Sequence, residues 1–212
     1  FEIFASYGDF AFENGDNNEA VVFYKKSLEA VDPKSIKTPA KFVDVINNIG
    51  GILYSKGEVE EAKKYLKQAC DITDDFSEGI HPMRGIVCKN LGVIYLKEKK
   101  YPEAEKLLKN SLEAHMATGD RDIANVHNDL GVLYYEQDML DKAEAHFTDE
   151  FNTRRKDLKD QYPEAVRCLA MLCRINLQRG NPDVAENLLG LLKLLKAEFE
   201  PSGEPFIPPF DL

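Results

Sequence analysis

Apolar residues recur along this chain with helical spacing. Val45, Ile46, Ile49, Leu53 and Tyr54 share one face of a 3.6-residue period, and Ala62, Tyr65, Leu66, Ala69 and Cys70 share one face of a second. Gly57-Glu58-Val59 separates the two, because glycine ends a helix at little cost. Extended along the chain, the pattern predicts helix pairs 2–14 with 17–31, 40–56 with 59–74, 82–98 with 101–117, 121–137 with 140–159, and 162–179 with 182–199. Asp32-Pro33 and Thr38-Pro39 punctuate the first connection, and His81-Pro82 opens the third pair. Pro102, Pro163 and Pro182 are placed in first helical turns, where a missing N–H is tolerated. No β-type alternation of useful length occurs, so the expected class is all-α.

The pairs are also copies of one another. Asn48-Ile49-Gly50 with Glu61-Ala62 returns as Asn90-Leu91-Gly92 with Glu103-Ala104, then as Asp129-Leu130-Gly131 with Lys142-Ala143. Tyr7-Gly8 with Ala20 opens the series, and Leu172-Cys173 with Ala185 closes it. From Gly8 through Gly50, Gly92 and Gly131 to Cys173 the spacings are 42, 42, 39 and 42. A fixed period of this size predicts a solenoid of about five stacked helix pairs, over approximately 1–34, 40–76, 82–118, 121–159 and 162–199. The small residues mark where two helices approach too closely for a larger side chain. Residues 200–212 form a tail or linker, since Pro201, Gly203, Pro205, Pro208 and Pro209 forbid a continuous helix. Its apolar Phe206, Ile207, Phe210 and Leu212 need a place to dock, either over the last helix pair or in a groove.

Composition narrows the function. A formal net charge of −10 opposes a phosphate-binding surface and a polybasic membrane patch, so neither nucleic acid nor direct membrane insertion is expected. No run of 18 apolar residues exists. The chain starts at Phe1 rather than Met, reads as part of something longer, and has no secretory signal in its acidic first stretch. Cys70, Cys88, Cys168 and Cys173 match no metal or redox spacing and fall mostly at core positions. Buried free thiols imply a reducing, cytoplasmic location. His81, His115, His127 and His146 are isolated in sequence, and Gly50-Gly51 is a packing feature rather than a phosphate loop. No catalytic, cofactor or metal site is therefore expected. Arg154-Arg155-Lys156 reads as the solvated end of a helix.

The residues that recur resemble the tetratricopeptide repeat. The third copy carries Leu91-Gly92, Tyr95, Ala104 and Leu108, with Ser111 in place of the last alanine. The fourth carries Leu130-Gly131, Tyr134, Ala143 and Phe147, and the fifth departs with Cys173 for glycine and Asn176 for an aromatic. The 42-residue register is most similar to the kinesin light chain branch. The resemblance implies a right-handed superhelix whose inner wall is made by the first helix of each pair. It places Asn47, Asn48, Tyr54, Lys89, Asn90 and Val93 in the groove, followed by Asn125, Asn128, Asp129, Tyr135, Arg167 and Arg174. The ladder Asn48–Asn90–Asp129 is the sharpest signal. Asparagine supplies a donor and an acceptor for an extended peptide backbone, at a helix-propensity cost of a few tenths of a kcal/mol each. The same asparagines would equally serve as bonds between neighbouring helices.

The expected function is a scaffold or adaptor that binds an extended segment of a partner protein, such as an apolar and acidic linear motif. A regulatory or sensor domain of a larger protein and a self-assembly module are the alternatives. One branch of the family clamps the free C-terminal carboxylate of heat-shock chaperones. At the matching positions stand Ala5, Asp9, Asn48, Ile86 and Asn90, of which only Asn48 fits, and Asp9 would repel a carboxylate. Amidating the C terminus of a bound peptide should therefore leave its affinity unchanged in fluorescence polarisation. A dependence on the free carboxylate would contradict this expectation.

Overall fold

The computed structural model describes residues 1–31, 39–75, 81–119 and 122–199. Those residues form ten α-helices and one short 3-10 helix, with no strand among them. The chain is all-α, as expected. It divides into two compact units, residues 1–118 and 119–212. The first contains α1 (Glu2–Glu13), α2 (Asn17–Glu29), α3 (Pro39–Ser55), α4 (Val59–Asp74), α5 (Arg84–Lys97) and α6 (Tyr101–Thr118). The second contains α7 (Ile123–Glu136), α8 (Leu140–Arg154), α9 (Leu158–Gln178) and α10 (Pro182–Phe199). Odd and even helices pack as consecutive pairs, α1 with α2 through α9 with α10. The tail 200–212 lies outside the described residues.

Each pair is closed by the same turn. Asp16 N–H donates to Ala11 O, Glu58 to Leu53, Lys100 to Tyr95, Met139 to Tyr134 and Asn181 to Asn176, all at 2.8–2.9 Å. This bond ends the helix through a residue in the left-handed region. Gly15, Gly57 and Gly180 take that conformation freely, whereas Lys99 and Asp138 hold it at φ 58° with a side chain attached. The turn therefore recurs with the period of the sequence even where glycine is absent.

Small residues then set the distance between paired helices. Ala20, Ala62, Ala104, Ala143 and Ala185 are all buried. A Cβ added to Gly8 would lie 2.4 Å from the Tyr24 ring, at Gly50 2.7 Å from Leu66, at Gly92 3.0 Å from Leu108, and at Gly131 2.8 Å from Phe147. Cys173 holds the equivalent place in the last pair, and its thiol donates to Ala185 O at 3.4 Å. Its neighbour Asn176, where an aromatic is expected, is buried and donates to Glu144 at 2.8 Å and to Leu172 O at 3.0 Å. All four cysteines are buried free thiols.

The fourth connection differs from the sequence expectation. α8 stops at Arg154, a 3-10 turn covers Arg155–Asp157, and α9 begins at Leu158 instead of 162. Pro163 is consequently inside α9 rather than in its first turn, and removes one bond from its ladder. In the added turn Gln161 accepts from Arg154 at 2.7 Å, and just after it Tyr162 is buried and stacks on Phe199 with ring centroids 5.0 Å apart. No helix among the described residues is long and apolar enough to cross a membrane.

Gly131→Ala should destabilise the protein by about 1–3 kcal/mol, because the new methyl meets the Phe147 ring. Gly51→Ala meets nothing within 4 Å and should be neutral or stabilising by roughly 0.5–1 kcal/mol. Urea denaturation of the two variants measures the difference, and equal effects would be inconsistent with this packing.

Candidate functional site

In the first unit the asparagines are partly committed to the stack. Asn47 is buried on α3, and Asn90 on α5 donates to its Oδ1 at 2.8 Å. Asn47 is thus a tie between the first helices of adjacent pairs and offers little to a groove. Asn48 is half-buried and lies 3.5 Å from the Tyr24 hydroxyl, which donates to Asp9 at 2.9 Å. Lys41 neutralises Asp9 from the other side at 2.7 Å. Burial, with the bond to Asp9, pushes the Tyr24 phenol well above its ordinary pKa. Tyr54, Lys89 and Val93 are half-buried, and Leu96 on the same helix as the last two is in the core.

In the second unit four of the groove residues read from sequence, Asn125, Asn128, Arg167 and Arg174, come together. Asn125, Asn128 and Val132 on α7 face Val166, Arg167, Ala170, Met171 and Arg174 on α9 across a cavity of about 420 Å³. The spacing within each set is one helical face, so two consecutive first helices make the walls. Glu150 and Arg154 on α8 form the floor. Tyr135 and Asp129 are half-buried and lie on α7 outside the cavity lining.

The floor corrects the sequence reading of Arg154. It is 5% exposed rather than solvated, and only Arg155 and Lys156 of that basic run face water. Its guanidinium donates to Glu150 at 2.8 Å, to Gln161 at 2.7 Å and to Asn125 at 2.8 Å. Glu150 is 2% exposed. Burial raises its pKa above the usual carboxylate range, with Arg154 partly offsetting the shift. Its Oε1 accepts from Arg154, but Oε2 has no hydrogen-bond partner, since the nearby Cys168 thiol donates to Phe147 O at 2.9 Å. The equivalents of Glu150 in the other pairs are Ser27, Ala69, Ser111 and Leu192. A buried carboxylate therefore replaces small or apolar residues in this pair alone. Aligning the copies position by position would have exposed it. A scan for periodic apolar residues passes over it.

Two histidines that are isolated in sequence are not isolated in space. His127 on α7 and His146 on α8 bring their Nδ1 atoms to 3.0 Å, and Asp149 Oδ2 lies 3.9 Å from His127 Nδ1. Tyr134 stacks on the His146 ring at 5.4 Å. Burial lowers the His127 pKa, with Asp149 acting weakly against it. His81 and His115 are both buried.

A tetratricopeptide repeat family model matches the chain over residues 42–117 and again over 83–156. None of the curated proteins matches it. Among solved structures it is similar to BtubC (BKLC) from P. vanneervenii, with a TM-score of 0.77 and 19% identity over 100% of this chain and 84% of that one. The nearly identical repeats of a putative kinesin light chain from Podosopora anserina give a TM-score of 0.70 and 18% identity, over 94% of this chain and 96% of that one. MamA from Desulfovibrio magneticus RS-1 gives 0.69 and 17%, over 94% and 96% respectively.

The cavity floor yields a stability prediction. Arg154→Met strands the buried Glu150 carboxylate and should cost about 3–5 kcal/mol. Adding Glu150→Ala, which restores the small residue of the other pairs, should recover most of that loss. Arg167→Met removes a side chain that is 76% exposed and should change stability by no more than about 0.5 kcal/mol. Denaturant titration of the three variants checks the order.

Proposed function

Because the chain belongs to the tetratricopeptide repeat family, we propose that it is a non-catalytic interaction scaffold that binds an extended segment of a partner protein across its first helices. The cavity between α7 and α9 carries this reading. Its walls are apolar at Val132, Val166, Ala170 and Met171, its rim is cationic at Arg167 and Arg174, and its floor holds the unpaired Glu150 oxygen. A strand-like peptide fits this arrangement. An apolar side chain fills the walls, an acidic side chain meets the arginines, and the Asn125 and Asn128 amides face the peptide backbone. Asn125, Asn128, Asp129 and Tyr135 continue the same surface along α7, and Asn48, Tyr54, Lys89, Asn90 and Val93 offer the corresponding positions on α3 and α5. The four buried free thiols favour a reducing, cytoplasmic setting. The same groove would serve a regulatory domain within a larger protein.

A peptide display library screened on the protein should return segments that pair an apolar residue with Asp or Glu. Arg167→Glu with Arg174→Glu should weaken the best of them about tenfold or more, with unchanged melting. Selection of unrelated peptides, or affinity indifferent to the charge reversal, would remove the cavity from the binding site.

One observation favours self-association as a second reading. On α1, Ile3, Tyr7 and Phe10 are 73%, 56% and 66% exposed and fall on one helical face. Light scattering of the wild type against Tyr7→Glu with Phe10→Glu tests it. A monomeric wild type rejects it.

A further inference from the structure

The His127–His146 contact has no counterpart elsewhere in the chain. The residues equivalent to His127 are Phe4, Ile46, Cys88 and Leu169, and those equivalent to His146 are Phe23, Tyr65, Leu107 and Leu188. In the other pairs these positions carry apolar or aromatic bulk. In one pair both partners have become imidazoles, with Nδ1 atoms facing each other at 3.0 Å. At that distance the two nitrogens cannot both carry protons, so at least one lone pair points into the gap. Asp149 stands one helical turn beyond His146 and adds a third donor. The three ligand atoms lie within 4.8 Å of one another.

We infer that His127, His146 and Asp149 form a binding site for one divalent transition-metal ion of the zinc or nickel type. An ion about 2.0–2.1 Å from both nitrogens would see them at roughly 90–95°, close to the angle of an octahedral site. Separating the rings by about 0.3–0.4 Å gives the tetrahedral angle that zinc takes. Two imidazoles and a carboxylate select such ions over magnesium or calcium, which prefer an all-oxygen shell. His127 is 13% exposed in its side chain and Asp149 59%, so the ion enters from the Asp149 side and keeps a position open to water there. Bound to ligands from both helices, the ion ties α7 to α8. These helices supply one wall and the floor of the cavity, so the metal would hold the spacing of that groove. This role does not depend on a peptide being the ligand.

The test uses the full chain, stripped with a chelator and titrated with zinc sulfate, nickel sulfate or magnesium sulfate by calorimetry and thermal melting. Zinc or nickel should bind with one ion per chain and raise the melting temperature, and magnesium should do neither. Asp149→Asn and His146→Gln should each weaken binding at least about tenfold. Asp149 is largely exposed, so its variant keeps the test decisive if His146→Gln folds poorly. A wild type that takes up neither metal, or an Asp149→Asn variant that retains wild-type affinity, overturns the three-ligand site.

Discussion

The fold depends on one close approach, made five times. In four pairs a glycine on the first helix lies against a large side chain on the second, and in the fifth Cys173 lies against Ala185. At Gly8 the gap is too narrow even for a methyl group, since the Tyr24 ring occupies the space. Such contact fixes both the separation of the paired helices and their rotation about their axes, because any other rotation would place a side chain in the gap. The left-handed turn residue enforces the same register at the end of each pair. It does so with glycine at Gly15, Gly57 and Gly180, and against a steric cost of about 1 kcal/mol at Lys99 and Asp138.

Constraint at those positions leaves freedom elsewhere. Within each unit a helix pair packs mainly on its neighbours, so a local change disturbs few others. The pair α7–α8 has used this freedom twice. On one side Glu150 stands where Ser27, Ala69 and Ser111 stand in other pairs, with Arg154 one turn on to neutralise it. On another, His127 and His146 replace an apolar contact. Burying a charged pair gains little stability compared with an apolar isostere, so folding alone does not account for a carboxylate at this position. The polar tie from Asn90 to Asn47 is different in kind. Asn90 donates to Asn47, and the bond joins one helix pair to the next.

How much of this was legible beforehand follows from what periodicity measures. It reports which face of a helix is apolar, and small residues report where that face is crowded. From those two signals came the all-α class, the helix pairs, the glycine contacts and the buried cysteines. Even the cavity between α7 and α9 was half visible, because Asn125, Asn128, Arg167 and Arg174 follow from the groove face of first helices.

Periodicity says nothing about axial register between two helices, and register decides which polar side chains meet. His127 and His146 are 19 residues apart and come together only because α7 and α8 run antiparallel at one height. Arg154 looked solvated because it sits in a basic run at a helix end, yet the 3-10 turn after α8 folds it over Glu150, Gln161 and Asn125. Asn47 and Asn48 are adjacent and chemically identical, yet one is buried in the stack and the other half-open. Composition and spacing determined the repeat, since each small residue acts on the helix packed directly against it. The polar contacts were decided by tertiary structure, since each depends on the position of a partner helix to within about the length of a hydrogen bond.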